Sequence, residues 1–181
     1  MTVINAKRAQ QKGMTLVEVL VTLVVLAFGL LGIAGMLMMS NKANNSSYAK
    51  QQAVQSVYDI FDRIRANYQS AINGNYNVSN IGSNGLPTSV TAPSTLCDAS
   101  YCTPAQMATY DTWYWLTYDV SRLPNGSGSI TSALSINGSG NTIITVTVQW
   151  DDSVAQATLG NSSVVSSNNA NLVQLSIQSQ L

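Results

Sequence analysis

The sequence predicts an α+β chain in which one long N-terminal helix, apolar in its first half and amphipathic in its second, packs on a head containing a C-terminal antiparallel sheet. Three observations predict it. Residues 14–39 are almost all apolar, Gly or Thr, and no charge stands between Glu18 and Lys42. After Ser40 the pattern turns amphipathic. Ala53, Val57, Ile60, Phe61, Ile64 and Tyr68 recur at helical spacing, while Lys50, Gln51, Gln55, Asp59, Asp62, Arg63 and Arg65 occupy the other faces. Near the C-terminus, Ile144, Val146, Val148 and Trp150 alternate with Thr145, Thr147 and Gln149. Val173, Leu175 and Ile177 alternate with Gln174, Ser176 and Gln178 in the same way, which is the period of half-buried strands.

The first segment is long enough to cross a membrane, since 26 residues at the helical rise reach about 39 Å. Lys7, Arg8 and Lys12 precede it, and a basic flank before an apolar span keeps that end cytoplasmic while the rest is translocated. Glu18 sits one turn into the span. A carboxylate there costs several kcal/mol unless it is paired, so it marks a function. A secretory signal has an apolar core of roughly 7–15 residues; Ala34-Gly35 imitates its cleavage site, but the run is too long. A plain anchor fits the length and leaves Glu18 as a residue that snorkels to the interface. Gly29, Gly32 and Gly35 let helices approach closely in lipid, and they also weaken the helix, which leaves local melting open.

The amphipathic continuation spans residues 40–70 and stops at Asn73-Gly74-Asn75. Residues 71–181 form the head. Its first part, 73–102, reads as a loop rich in Gly, Pro, Asn and Ser. A second helix follows at about 103–122, starting at Thr103 or Asp98, with Pro104 in its first turn and Pro124-Asn125-Gly126 after its end. Within it Met107, Tyr110, Trp113, Tyr114 and Leu116 face the core in part. The sheet occupies about 129–181, with a first strand at 130–136 and Asn137-Gly138-Ser139-Gly140 as the hairpin turn to the second. Residues 151–171 are polar apart from Val164-Val165.

Composition narrows the function. Charged residues make up 9% of the chain against a usual quarter or so, while Ser, Asn, Thr and Gly abound, as on secreted surfaces. No histidine is present, which removes Ser-His-Asp and Cys-His catalysis and histidine metal sites. The Asp residues form no catalytic motif, so the reading is a non-enzyme without cofactor or metal. Asp151-Asp152 reads as a solvated turn, with a calcium site as the alternative. After Gly13, five basic and eight acidic residues remain, a net of −3, and only Arg122 is basic beyond the long helix. Phosphate affinity is then weak and no nucleic acid is expected. Cys97 and Cys102 enclose four residues. An even count in an exported chain suggests a disulfide, with two free thiols as the alternative. A loop this short adds only about 2 kcal/mol and serves local geometry.

The segment Lys12-Gly13-Met14-Thr15-Leu16-Val17-Glu18 resembles the processing and assembly signal of type IV prepilins. In them a short basic leader ends in Gly, and a hydrophobic helix follows with Glu as its fifth residue. The resemblance implies the type IV pilin fold, with a leader at residues 1–13 and a membrane and assembly helix at 14–39. Cleavage then falls between Gly13 and Met14, and Met14 is N-methylated, although family members usually begin with Phe. Glu18 pairs with the N-terminus of a neighbouring subunit and sets the axial register.

The head carries a narrower resemblance, to the PilV family of minor pilins. Residues 102–115 resemble their C…ADMAAYDLWQW segment, 123–130 their LPGGSGSI turn and 146–152 their VTVTWDD strand end. This implies a low-copy subunit that primes pilus assembly with other minor pilins at or near the filament tip. Its partners would be other minor and major pilins, the inner-membrane assembly platform and the prepilin peptidase. The head would lie in the periplasm before assembly and on the extracellular pilus after it. A minor pseudopilin of a type II secretion system shares leader, Glu and helix, and a tip adhesin or competence pilin is a further alternative.

Overall fold

A computed structural model describes residues 13–134, 141–153 and 172–181. The elements in chain order are α1 (Leu16–Ala66), α2 (Tyr68–Ile72), β1 (Val78–Ser79), α3 (Pro104–Tyr114), a π turn (Trp115–Asp119), a 3₁₀ turn (Val120–Arg122), β2 (Ser127–Leu134), β3 (Thr142–Asp151) and β4 (Leu172–Gln180). The chain divides into two compact units, one ending at Asn41 and one spanning Lys42–Leu181. In the first, α1 runs unbroken through Gly29, Gly32 and Gly35, and open space lies beside each of them. Between Met14 and Met39 every side chain is exposed. Among the described residues α1 is the one helix long and apolar enough to cross a membrane.

In the second unit, α1 turns its stripe inward. Ala53, Val57, Ile60, Phe61 and Ile64 are buried, as their spacing predicts. They share one core with Ile130 of β2 and with Ile144, Val146, Val148 and Trp150 of β3. β3 buries every second residue along its length. The sheet order is β1-β2-β3-β4, antiparallel throughout, with Ile130 opposite Val146 and Val148 opposite Leu175. Val173, Leu175 and Ile177 pack on the core from β4. This is the α+β architecture expected of a type IV pilin.

Several boundaries differ from the sequence reading. The first helix ends at Ala66 rather than near Ser70, because Asn67 leaves helical geometry (φ −117°, ψ 50°). Its side-chain amide donates to the Pro104 carbonyl at 2.7 Å, a contact that exists only once α3 is in place. The chain restarts as α2 with Ser70 and Ala71 turned inward, which leaves Tyr68 exposed instead of in the stripe. The segment read as loop at 73–102 contains β1, two residues paired with Ser129 and Ile130. Asn80 follows and anchors it: its amide oxygen accepts from the Gly128 N–H at 2.6 Å. So short a strand has no periodicity of its own and exists through these pairings.

The helix expected at 103–122 is present in extent but changes pitch after Tyr114. Of the two candidate starts, Thr103 is the cap. Its hydroxyl accepts from the Gln106 N–H, and the Gln106 side chain accepts from the Thr103 N–H at 2.9 Å. Leu116 is buried as expected, while Tyr110, Trp113 and Tyr114 are half-buried; Trp113 meets Tyr118 edge to ring, and Tyr110–Trp113 and Tyr114–Tyr118 pack tilted. The first strand begins at Ser127 and pairs with β3 as a hairpin arm. The proposed turn at 137–140 and the Val164-Val165 island lie outside the described residues.

Trp115 is the centre of the head. Its indole N–H donates to the Ser56 carbonyl of α1 at 3.0 Å, and its ring fills the space beside Gly128 of β2. A Cβ at Gly128 would stand 2.7 Å from Trp115 Cη2. Gly128→Ala should therefore destabilise the head by about 1–3 kcal/mol, the usual cost of overpacking. Thermal unfolding of the detergent-solubilised chain, followed by near-ultraviolet tryptophan dichroism, reads this directly.

Candidate assembly site

The N-terminal site is built from the first turn of α1. Gly13, Met14 and Thr15 precede the helix in exposed, non-helical backbone. A peptidase needs an accessible peptide outside regular helix, and Gly13 and Met14 are exposed and non-helical. Thr15 Oγ1 accepts from the Glu18 N–H at 3.3 Å. This is one half of a capping box, and Thr15-Leu16-Val17-Glu18 is its sequence signature. That signal was legible in the chain and adds a local role for Thr15. Glu18 lies in the first turn with its side chain exposed, where the partial positive charge of the helix N-terminus favours a carboxylate. Met14 and Glu18 thus fall on one short segment, and the exposed apolar residues of 16–39 follow on the same helix.

In the head the functional side chains clamp α1 to α3. Arg63 holds two carboxylates, Asp59 one turn back at 2.8 Å and Asp111 of α3 at 3.2 Å. Its guanidinium also lies 4.8 Å from the centre of the Tyr114 ring. Asp111 is buried, and its second oxygen accepts from the Tyr76 hydroxyl at 2.8 Å. Burial first, then the hydrogen bond to Asp111, pushes the Tyr76 hydroxyl well above the usual phenol range. The Asp59–Arg63 spacing of four could be read from sequence. Tyr76 and Asp111 could not, because neither belongs to a pattern and they meet only through the fold.

Cys97 and Cys102 are joined in a disulfide before α3. Asp152 accepts from the Ser46 hydroxyl of α1 at 2.9 Å, and Asp151 accepts from the Ser153 N–H at 2.9 Å, so both carboxylates of the pair serve the chain itself. Among the described residues no cluster of three or more His, Cys, Asp or Glu could hold a metal ion.

Residues 8–34 match the family model of the prokaryotic N-terminal methylation motif, and residues 35–113 match that of type IV pilin Tt1218. The two matches adjoin and carry the reading from the leader into α3. The chain belongs to the type IV pilin superfamily. No curated protein and no solved structure matches it. As a pilin it is a structural subunit, and its motif and apolar helix fit membrane anchoring before assembly into a pilus. The motif also implies other pilins as partners and processing by the prepilin peptidase.

The clamp yields a test within the pilin head. Tyr76→Phe removes one of the two partners of a buried carboxylate and should cost about 1.5–3 kcal/mol, the range for hydrogen bonds to charged groups. Denaturant unfolding of the full chain in micelles measures it, and an unchanged midpoint would mean that water replaces the hydroxyl.

Proposed function

We propose that this pilin is a PilV-like minor pilin, present in low copy and priming type IV pilus assembly with other minor pilins at or near the tip. One observation supports the subfamily reading. The three blocks resembling that family, 102–115, 123–130 and 146–152, are separate in sequence but meet in the head. Trp115 of the first lies against Gly128 of the second, and the Asp151 N–H of the third donates to the Pro124 carbonyl of the second at 2.9 Å. The shared blocks thus form one contiguous part of the head.

Assembly then follows from charge. In the uncut chain Met14 N is an amide and offers Glu18 nothing. Cleavage after Gly13 frees an ammonium at Met14, which N-methylation leaves charged. Within a bundle of apolar helices, an unpaired ion is costly while a staggered pair satisfies both partners. Glu18 therefore selects the register at which the Met14 ammonium of a neighbouring subunit lies beside it. Gly29, Gly32 and Gly35 let the helices approach closely. The head stays on the periplasmic side until the subunit moves from the inner-membrane platform into the extracellular pilus.

Two experiments test this reading. Intact mass of the membrane-extracted chain, expressed with and without a prepilin peptidase, should show loss of residues 1–13 and one added methyl only when the processing enzyme is supplied. Glu18→Ala should remain inserted and cleaved but fall at least tenfold in sheared filaments, while loss of the whole chain should reduce the number of pili. Normal incorporation of Glu18→Ala would end the pairing idea. Copy numbers matching the major subunit would end the minor-pilin reading.

A further inference from the structure

The π turn Trp115–Asp119 interrupts the helical run between α3 and the 3₁₀ turn. Single π turns recur at functional positions because their widening re-aims a side chain. Here Asp119 enters a cleft of about 120 Å³ walled by Gln52, Gln55, Ser56 and Asp59 of α1 and by Arg122. Its Oδ2 is sealed from solvent and has no hydrogen-bond partner among the described residues. Buried polar atoms rarely stay in that state. Asp59 lines the same cleft as Asp119. As a carboxylate, however, it has no proton to offer, and one of its oxygens already accepts from Arg63.

The charged groups that face Asp119 are Asp59 and Arg63 from α1 and Arg122 from the following turn. Arg63 is committed to Asp59 and Asp111, and neither arginine forms an ion pair with Asp119 among the described residues. The cleft thus sets two carboxylates together, with one oxygen orphaned and no cation seated on it. One proton resolves every part of this. Bound to Asp119, it turns like-charge repulsion into a carboxyl-to-carboxylate hydrogen bond and satisfies the buried oxygen.

We propose that Asp59 and Asp119 form a proton-accepting pair, a clasp between α1 and the π turn that tightens in acid and loosens toward neutral pH. Burial, and then the charge of Asp59, holds the Asp119 carboxyl above its usual range, while Arg122 and Arg63 act against the rise. The sign follows. A carboxyl raised on folding stabilises the fold fully below its unfolded pKa, and that contribution is lost as pH rises through the folded value. The clasp is independent of the pilin subtype, since it rests only on the geometry of the head.

The test is thermal unfolding of the full chain in micelles from pH 7 down to pH 3.5, comparing wild type, Asp119→Asn and Asp59→Asn. Asp119→Asn mimics the protonated form. It should melt above wild type at pH 7, with the difference shrinking to nothing as pH falls toward the ordinary carboxylate range. Asp59→Asn loses its bond to Arg63 and should melt below wild type at pH 7, yet show a smaller gain on acidification. Parallel Tm curves for wild type and Asp119→Asn would overturn the clasp. So would an Asp119→Asn chain that melts below wild type at pH 7 or fails to fold, because Asp119 would then act as a charged, stabilised carboxylate.

Discussion

Burial of the stripe Ala53, Val57, Ile60, Phe61 and Ile64 against β2, β3 and Trp115 is the interaction on which the head depends. The sheet is antiparallel, and β3 alternates buried and half-buried residues, so it needs one covering layer. The second half of α1 supplies that layer. Trp115 then locks the arrangement by reaching between α1, through the Ser56 carbonyl, and the glycine gap on β2. The first half of the same helix lies in the other unit, where its side chains are exposed among the described residues. Its apolar surface is exposed from Leu16 to Met39, and an exposed apolar surface of that size belongs to a membrane or a partner.

Polar groups decide how α3 and the following turns sit on α1. Arg63 joins Asp59, Asp111 and the Tyr114 ring, and Tyr76 closes the buried side of Asp111. A buried ion pair of this kind adds little net stability but is costly to break, so it fixes one arrangement against others. Eight residues beyond Asp111, Asp119 shows the opposite case, a carboxylate with one buried oxygen left without a partner among the described residues. Asp119, at the end of the π turn, lines a cleft with Asp59, while Asp111 meets Arg63.

The two ends of α1 thus use charge under different rules. In the head, ion pairs are completed within the chain. At the N-terminus, Glu18 has the local support of the Thr15 cap and the helix dipole, and among the described residues it forms no ion pair. The adjoining matches to the methylation motif and to type IV pilin Tt1218 divide at residue 35, inside the apolar helix.

The sequence by itself determined the features that rest on local pattern. The apolar span with Glu18, the buried stripe of α1 and the alternation of β3 and β4 are periodic or adjacent in the chain, so they could be read directly, while the start of α3 was narrowed to Thr103 or Asp98. The processing motif was legible for the same reason. Tertiary structure alone decided the break at Asn67, the two-residue strand β1, the exposure of Tyr68 and the change of pitch at Trp115. At three of these places the structure shows a partner distant in sequence: Pro104 for Asn67, Gly128 for Asn80, Ser56 for Trp115. The clamp at Asp111 and the orphaned oxygen of Asp119 belong to the same class. Their chemistry depends on burial and on neighbours distant in sequence, which no local period encodes.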